Sequence, residues 1–492
     1  EKQLLNHMAD KEQGLLPGRN NCAGNMSQPE KKLQEAICVL LVELCERFTF
    51  FGIICNMTLF CTVNLGYHNY QAAIVNMCFV GSSMLTPVLV GWIAECLVGR
   101  TKFVCICMFL LFLGTALLPD VAFPIEDVYF DRRHILPTLT KREQKVVFYF
   151  ALLKASLGIG SISAIICPLS AYHLEVCGAK ELLSFFQLIG NFMFYWLVNL
   201  NSAVVFASIS YIQLSVTRNL AILTPFVSTL MAMITIHMVQ DEMIYKPKTE
   251  SSLLTPLGVI TAALKACCLC YRYFAGGKAN WLDHAKENHG GHCSETQVES
   301  TKLLAKLLPL FAFQILYRMC VMQVGTQLLK TLEICCGVFT SVSPGAWAES
   351  SEVTKAIFIF VDLNTGEMLR FSQGGCFVAW VVGLDVGQLS AALSMVVAGF
   401  SEIHRKHFPQ VEQTLSKEVL LVSSMPCFHL APQHILLGVA EALVTPSCSL
   451  LSFWLVPART RGISMHFLSL FNGAGCFMGA FLVQTAHAGS QG

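Results

Sequence analysis

Runs of about 20 predominantly apolar residues recur along this sequence, and each is long enough to cross a bilayer as a helix. Only 13% of the 492 residues are charged, whereas about a quarter is typical of soluble domains. Because backbone polar groups in lipid must be satisfied within the segment, helix is the conformation open to such runs. The sequence therefore predicts an all-α polytopic membrane protein whose surroundings are the lipid bilayer.

The apolar runs place about ten candidate spans. They are Ala36–Thr62, Tyr70–Ala94, Phe103–Ala122, Val146–Tyr172, Leu182–Ile212, Asn219–Val239, Leu303–Leu332, Gly375–Phe400, Phe428–Val456 and Ile463–Gln484. A hydrophilic stretch, 240–302, separates the first six from the rest. Six spans, a long loop and further spans form the outline of the major facilitator architecture, although a long loop is compatible with other folds.

This pattern divides the chain into five predicted parts. They are a cytosolic N-terminal tail (1–35), a six-helix bundle (36–239), a cytosolic linker (240–302), a C-terminal helical bundle (303–484) and a short tail (485–492). Most basic loops agree with a cytosolic N-terminus under the positive-inside rule. The loops 131–145 and 402–417 are also basic but would face outward, so they conflict with this orientation.

Three ionisable residues lie within the first span, at Glu43, Glu46 and Arg47. Their spacing of i, i+3 and i+4 places them on one helical face, and Glu46 lies about 15 Å along the helix from Ala36, near the midplane. Glu43 precedes Arg47 in the favourable order for an intrahelical ion pair, which would leave Glu46 to contact another helix or carry a proton. Charges inside a membrane usually line a transport pathway, but a static ion-pair network is the alternative.

The run 43–52, ELCERFTFFG, resembles the first-helix signature E-x-x-E-R-F-x-Y-Y-G of the proton-coupled oligopeptide transporters, solute carrier family 15. The stretches 86–102, 281–286 and 432–441 resemble further motifs of that family in the same order. The 281–286 segment and Gln323 are most similar to the peptide/histidine branch. At the end of the second helix, four residues match a segment with a gating or structural role: Glu95, Gly99, Arg100 and Lys102.

The resemblance implies secondary active transport, in which protons are moved together with small peptides or histidine-like solutes by alternating access. Proton coupling is then expected at Glu43, Glu46, Arg47 and Glu441. The expected substrate-binding residues are Arg47, Phe51, Gln323, Glu441 and Arg318. In the family, the arginine contacts the peptide carboxylate and the tenth-helix glutamate receives the amino group. These contacts suit the two ends of a zwitterion.

Several positions depart from the family pattern and remove polar contacts from the expected site. A lysine, an asparagine and three tyrosines of the family are replaced here by Ser163, Gly190, Phe50, Phe51 and Met84. Without that lysine, Glu441 lacks its usual cationic partner. Arg318 and Lys154 are two cations that could compensate, and Arg318 is either the replacement partner or a snorkelling charge.

The C-terminal half has fewer clear spans than the family. No clean span is found in 341–374, and only eight residues follow Gln484. The eighth and twelfth helices are therefore unclear or missing, and we expect about 10–11 spans with an incomplete C-terminal bundle. A non-transporting receptor or scaffold, or an inactive truncated form, is the alternative function.

Other classes of function have little support in the sequence. No Walker loop, GxGxxG run or Ser/His/Asp pattern is found, so no enzymatic activity is expected. The net charge of +1 argues against a nucleic-acid partner, and neither a metal nor another cofactor is expected. The expected location is the plasma membrane or an endolysosomal membrane.

Overall fold

The structure is a computed structural model that describes most of the apolar segments of the chain. The described residues are 28–93, 100–122, 141–176, 197, 199–209, 211–213, 218–239, 259, 286, 293–339, 376–415, 418–425, 427–457 and 460–489. The predicted gap at 341–374 lies outside them, and the expected shortfall of spans and the five-part division stay predictions.

The first half of the chain is helical wherever it is described. Its helices are α1 (Gln28–Leu59, continued by a π-helical turn Phe60–Asn64), α2 (Asn69–Ile93), α3 (Arg100–Ala122), α4 (Lys141–Val176), α5 (199–209) and α6 (Arg218–Val239).

The second half contains five further described helices and one small hairpin. These elements are α7 (Glu295–Lys306), α8 (Leu308–Phe339), α9 (Cys376–Arg405), β1 (Gln410–Leu415), β2 (Glu418–Ser423), a 3₁₀ turn (Cys427–Leu430), α10 (Ala431–Trp454) and α11 (Arg461–Gly489). The antiparallel hairpin, in which Gln410 pairs with Ser423, was not predicted. It lies between two helices, and the described segments that are long and apolar enough to cross a membrane are all α-helical, as predicted.

Ten predicted spans can be compared with these helices. Within the described residues, eight helical segments are long and apolar enough to cross a bilayer, and each coincides with a predicted span. The third predicted span contains a shorter apolar stretch, Ile106–Pro119. The fifth is described only in part, through α5. The predicted helices are therefore confirmed wherever the chain is described.

Each half of the chain has its own apolar core. In the first half, Leu111 and Phe148 are almost completely buried, and in the second half Phe311 and Val444 are. The helix pairs α3–α4 and α1–α6 pack closely in the first half, and α9–α10 does so in the second. Helices α2 and α11 pack against each other, and Cys476 of α11 joins the first core. The α2–α11 pair therefore connects the two halves.

Small residues allow α2 and α11 to approach closely. A Cβ atom added at Gly473 would lie 3.0 Å from the carbonyl oxygen of Gly81. A Cβ added at Gly81 would lie 3.0 Å from the ring of Phe477. Lipid provides little hydrophobic drive for helix association, so close backbone packing at small residues stabilises such contacts instead.

Gly158 likewise allows α3 and α4 to approach closely, and this contact leads to a prediction about stability. A Cβ added there would lie 2.5 Å from Cβ of Leu111 and 2.8 Å from its Cα. We expect Gly158→Ala to destabilise the protein by about 1–3 kcal/mol, because the helices must separate to admit the methyl group. Thermal unfolding in detergent measures this effect.

Gly399 on α9 provides a matched control, since nothing lies within 4 Å of a Cβ added there. Gly399→Ala should be neutral or slightly stabilising, because alanine is the better helix former. Equal effects of the two substitutions would show that the α3–α4 contact is not tight.

Candidate functional site

Two of the three first-helix charges, Glu43 and Glu46, are buried, and Glu46 forms an ion pair with the partly exposed Arg47. Glu46 is 1% exposed and Glu43 is 6% exposed. Arg47 Nε lies 2.7 Å from Glu46 Oε2, and Arg47 Nη2 donates a hydrogen bond to Glu46 Oε1 at 3.2 Å. The prediction that Glu46 would be left without an intrahelical partner is therefore wrong. An arginine side chain can reach the carboxylate of the residue next to it, which the rule for i+3 and i+4 spacing does not anticipate.

Glu43 adds a second carboxyl group next to this pair. Its Oε2 atom is buried and makes no hydrogen bond with the described part of the chain. Two carboxyl groups and one guanidinium within one helical turn leave a surplus of negative charge when all three are ionised. Protonation of one carboxyl group removes that surplus.

Aromatic rings lie beside the charged cluster. The Arg47 guanidinium lies over the Phe50 ring, 5.5 Å from its centroid. Phe50 contacts Phe51 edge-to-face, with 5.3 Å between the ring centroids. The ring centroids of Phe51 and Phe206, which lies on α5, are 6.0 Å apart. Both phenylalanines stand where the family signature has tyrosines, so these rings present no hydroxyl group, and the face of Phe50 contacts the cation.

Polar contacts with α6 hold α1 in place. Ser228 donates a hydrogen bond to the Cys45 carbonyl oxygen at 2.8 Å, and the Thr49 and Thr229 hydroxyl groups lie 3.2 Å apart. Asn56 donates to the Ala221 carbonyl oxygen at 3.0 Å. Sequence reasoning missed these positioning residues, although hydroxyl and amide side chains in two apolar runs were a usable signal.

A second ion pair lies in the other half of the chain, between α8 and α10. Arg318 Nη1 donates to Glu441 Oε1 at 3.1 Å, and the two side chains are 17% and 24% exposed. Thr445 donates to Glu441 Oε2 at 3.2 Å. Of the two cations that could compensate for Ser163, it is therefore Arg318 that contacts Glu441. The Lys154 ammonium lies over the Phe150 ring, 4.3 Å from its centroid.

The remaining predicted site residues are described less fully. Gln323 is half-buried on α8, and Phe51 is half-buried on α1. Helix assignment alone is described for Arg100, Lys102 and Ser163. The positions Glu95, Gly99 and Gly190 lie outside the described residues.

Comparison with known proteins identifies the family. A family model described as PTR2, the POT family, matches residues 101–491. The chain belongs to the POT family. The matched range begins after the motif at 43–52, so it supports the resemblance independently of the first helix.

Curated relatives extend the similarity over the whole chain. Human "Solute carrier family 15 member 5" is 48% identical over 495 residues, covering 100% of this chain and 84% of that protein. "Protein NRT1/ PTR FAMILY 5.4" of Arabidopsis thaliana is 24% identical, and the alignment covers 92% of this chain and 85% of that protein. "Solute carrier family 15 member 3" of Mus musculus is 21% identical, with 91% and 82% covered. The resemblance to solute carrier family 15 is confirmed.

Solved POT family structures share the fold. A crystal structure of the POT family transporter PepTSo has a TM-score of 0.62 at 16% identity, covering 92% of this chain and 89% of that one. An auto inhibited POT family peptide transporter has a TM-score of 0.60 at 15% identity, with 93% and 91% covered. The predicted major facilitator architecture is confirmed, and the family and fold are those of transporters.

Proposed function

We propose that this POT family protein is a secondary active transporter that moves protons together with small peptides or histidine-like solutes by alternating access. The observation that carries the proposal is the cluster on α1 in which the buried carboxyl groups of Glu43 and Glu46 lie beside the partly exposed Arg47. A buried charge in a membrane helix is costly unless it serves a pathway or a partner. Membership of a transporter family makes the pathway the better explanation of this cost.

The ion pair between Glu46 and Arg47 suggests how proton and substrate binding are coupled. While Glu46 is ionised, it occupies the guanidinium fork of Arg47. Protonation of Glu46 removes its charge and weakens its hold on Arg47. The fork can then bind the carboxylate of a substrate bidentately. In this scheme Glu43 is a second proton acceptor in the same cluster.

The rest of the proposed site combines residues of both halves. Arg47 and Phe51 contribute from the first half, and Gln323, Arg318 and Glu441 contribute from the second. Glu441 also belongs to the proposed proton-coupling set, since its Arg318 contact would respond to its charge. The gating or structural role is assigned to the end of the second helix, at Glu95, Gly99, Arg100 and Lys102. The proposed location is the plasma membrane or an endolysosomal membrane.

Uptake into vesicles tests the coupling. We expect a labelled dipeptide or labelled histidine to accumulate when the outside is more acidic than the inside. One proton per substrate would drive about tenfold accumulation for each pH unit of gradient. A proton ionophore and vesicles without the protein are the controls.

Two outcomes would contradict the proposal. Uptake that equilibrates without responding to the pH gradient would remove proton coupling. Binding of these solutes without any uptake would favour the alternative, a receptor or scaffold of the same fold.

A further inference from the structure

The carboxylate of Glu441 is engaged by protein side chains at both oxygens. Arg318 donates to Oε1 and Thr445 donates to Oε2. All three residues lie in the second half of the chain, on α8 and α10. The pair therefore needs no contribution from the first half, and movement of the halves relative to each other need not break it.

Close helix packing fixes the base of the Arg318 side chain. A Cβ added at Gly475 of α11 would lie 2.9 Å from Cβ of Arg318 and 2.6 Å from the Ile315 carbonyl oxygen. The next residue, Cys476, lies beside the Arg318 side chain. Arg318 also lies about 15 Å along α8 from Leu308, far from either membrane surface. These contacts hold the guanidinium beside Glu441 and argue against snorkelling.

An ammonium group would bind poorly at this arrangement. To contact Glu441 it would have to displace Arg318, and the guanidinium, whose Nε atom is buried, would then lose its carboxylate partner. If Arg318 stayed in place, the ammonium would lie beside a guanidinium of the same charge, which is repulsive at short range. Glu441 in this chain is therefore a poor receptor for the charged amino end of a peptide.

An uncharged acceptor would fit better. Arg318 Nε is buried and makes no hydrogen bond within the described part of the chain. A guanidinium offers five N–H donors, and a buried donor without a partner is costly. A carbonyl oxygen of a ligand would satisfy such a donor and add no positive charge.

We propose that the site prefers ligands with a carboxylate for Arg47 and an uncharged acyl group for Arg318. N-acylated small peptides are such ligands, and peptides with a free ammonium are disfavoured. This inference rests on the proposed function, since it uses Arg47 as the carboxylate site. It narrows the substrate class to molecules whose amino end is blocked.

Binding to the purified full-length chain in detergent tests the preference without a pH gradient. The probes are N-acetyl-dialanine and dialanine, and their affinities are measured by ligand-induced thermal stabilisation and by calorimetry. We expect N-acetyl-dialanine to bind at least about tenfold more tightly, a difference of about 1.4 kcal/mol.

Substitutions assign the preference to the ion pair. Arg318→Gln should reduce the ratio of the two affinities at least about tenfold, because Glu441 becomes able to accept an ammonium. Arg318→Gln/Glu441→Gln removes both charges together, so it avoids a buried charge and should bind the two probes about equally. Lys154→Gln is the matched control, since that cation lies over Phe150, and it should leave the ratio unchanged.

Several results would overturn the inference. The first is that dialanine binds as tightly as its acetylated form. The second is that the ratio of the two affinities is unchanged in both Arg318 variants. The third is that neither probe binds. The proposed function is judged separately by vesicle uptake. A preference for the acetylated probe without pH-driven uptake of that same probe would overturn coupled transport alone. Gradient-driven uptake of free dialanine with no preference would overturn the inference alone.

Discussion

Glu46→Gln is expected to abolish accumulation of substrate against its gradient while leaving binding and exchange in place. Glutamine cannot gain or lose the coupling proton, and it resembles the protonated acid in shape and charge. Glu46 is 1% exposed and contacts Arg47, so the neutral side chain should leave the guanidinium permanently open to a carboxylate. The loss is about tenfold in accumulation for each pH unit of gradient.

Two assays in the same vesicles measure this effect: uptake driven by an acidic exterior, and exchange of labelled for unlabelled substrate at equal pH. Glu299→Gln is the matched control, because Glu299 is an exposed carboxylate on α7 that pairs with Lys286 and Lys302. The control should retain accumulation. Full accumulation by Glu46→Gln would remove the coupling role assigned to Glu46.

Arg47→Gln is expected to have the second large effect, on stability as well as on binding. The substitution leaves Glu46 buried beside Glu43 without its guanidinium partner. Breaking a buried pair in this way costs about 3–5 kcal/mol, and the lower end applies because the pair is partly accessible through Arg47, whose side chain is 23% exposed. Substrate binding should be lost as well, because no fork remains for the carboxylate.

A double substitution separates the two consequences of Arg47→Gln. Glu46→Gln/Arg47→Gln removes both charges, so it should recover most of the lost stability while binding stays absent. Thermal unfolding in detergent and ligand-induced stabilisation measure these quantities. If the double variant were no more stable than Arg47→Gln alone, the cost would arise from packing against Phe50 and not from an uncompensated carboxylate.

The family and the fold could be predicted from local patterns. A membrane span is a property of about 20 consecutive residues, so the helix that contains Glu46 was visible without tertiary information. The motif at 43–52 likewise lies within three helical turns, so it could be identified from the local sequence. The hairpin Gln410–Ser423 was missed because its short strands carry no span-length signal, and its first strand lies in the stretch 402–417, which was interpreted as a basic loop.

The site was predictable as a set of residues but less so as a set of contacts. Glu43, Glu46 and Arg47 could be placed on one face from their spacing alone. Their pairing could not, because the choice of Arg47 between two carboxylates depends on side-chain rotamers and on neighbours such as Phe50. The polar contacts from α6, including that of Ser228, join residues far apart in sequence.

Hydropathy and helical spacing act over short distances, so they are enough to identify this chain as a helical membrane protein with charges within its first span. The partner of Glu441, in contrast, follows from the folded arrangement of the helices. Arg318 and Glu441 are separated by more than a hundred positions, and no periodicity relates α8 to α10. Their contact depends on how closely α11 packs at Gly475, and helix packing of that kind is a property of the folded bundle.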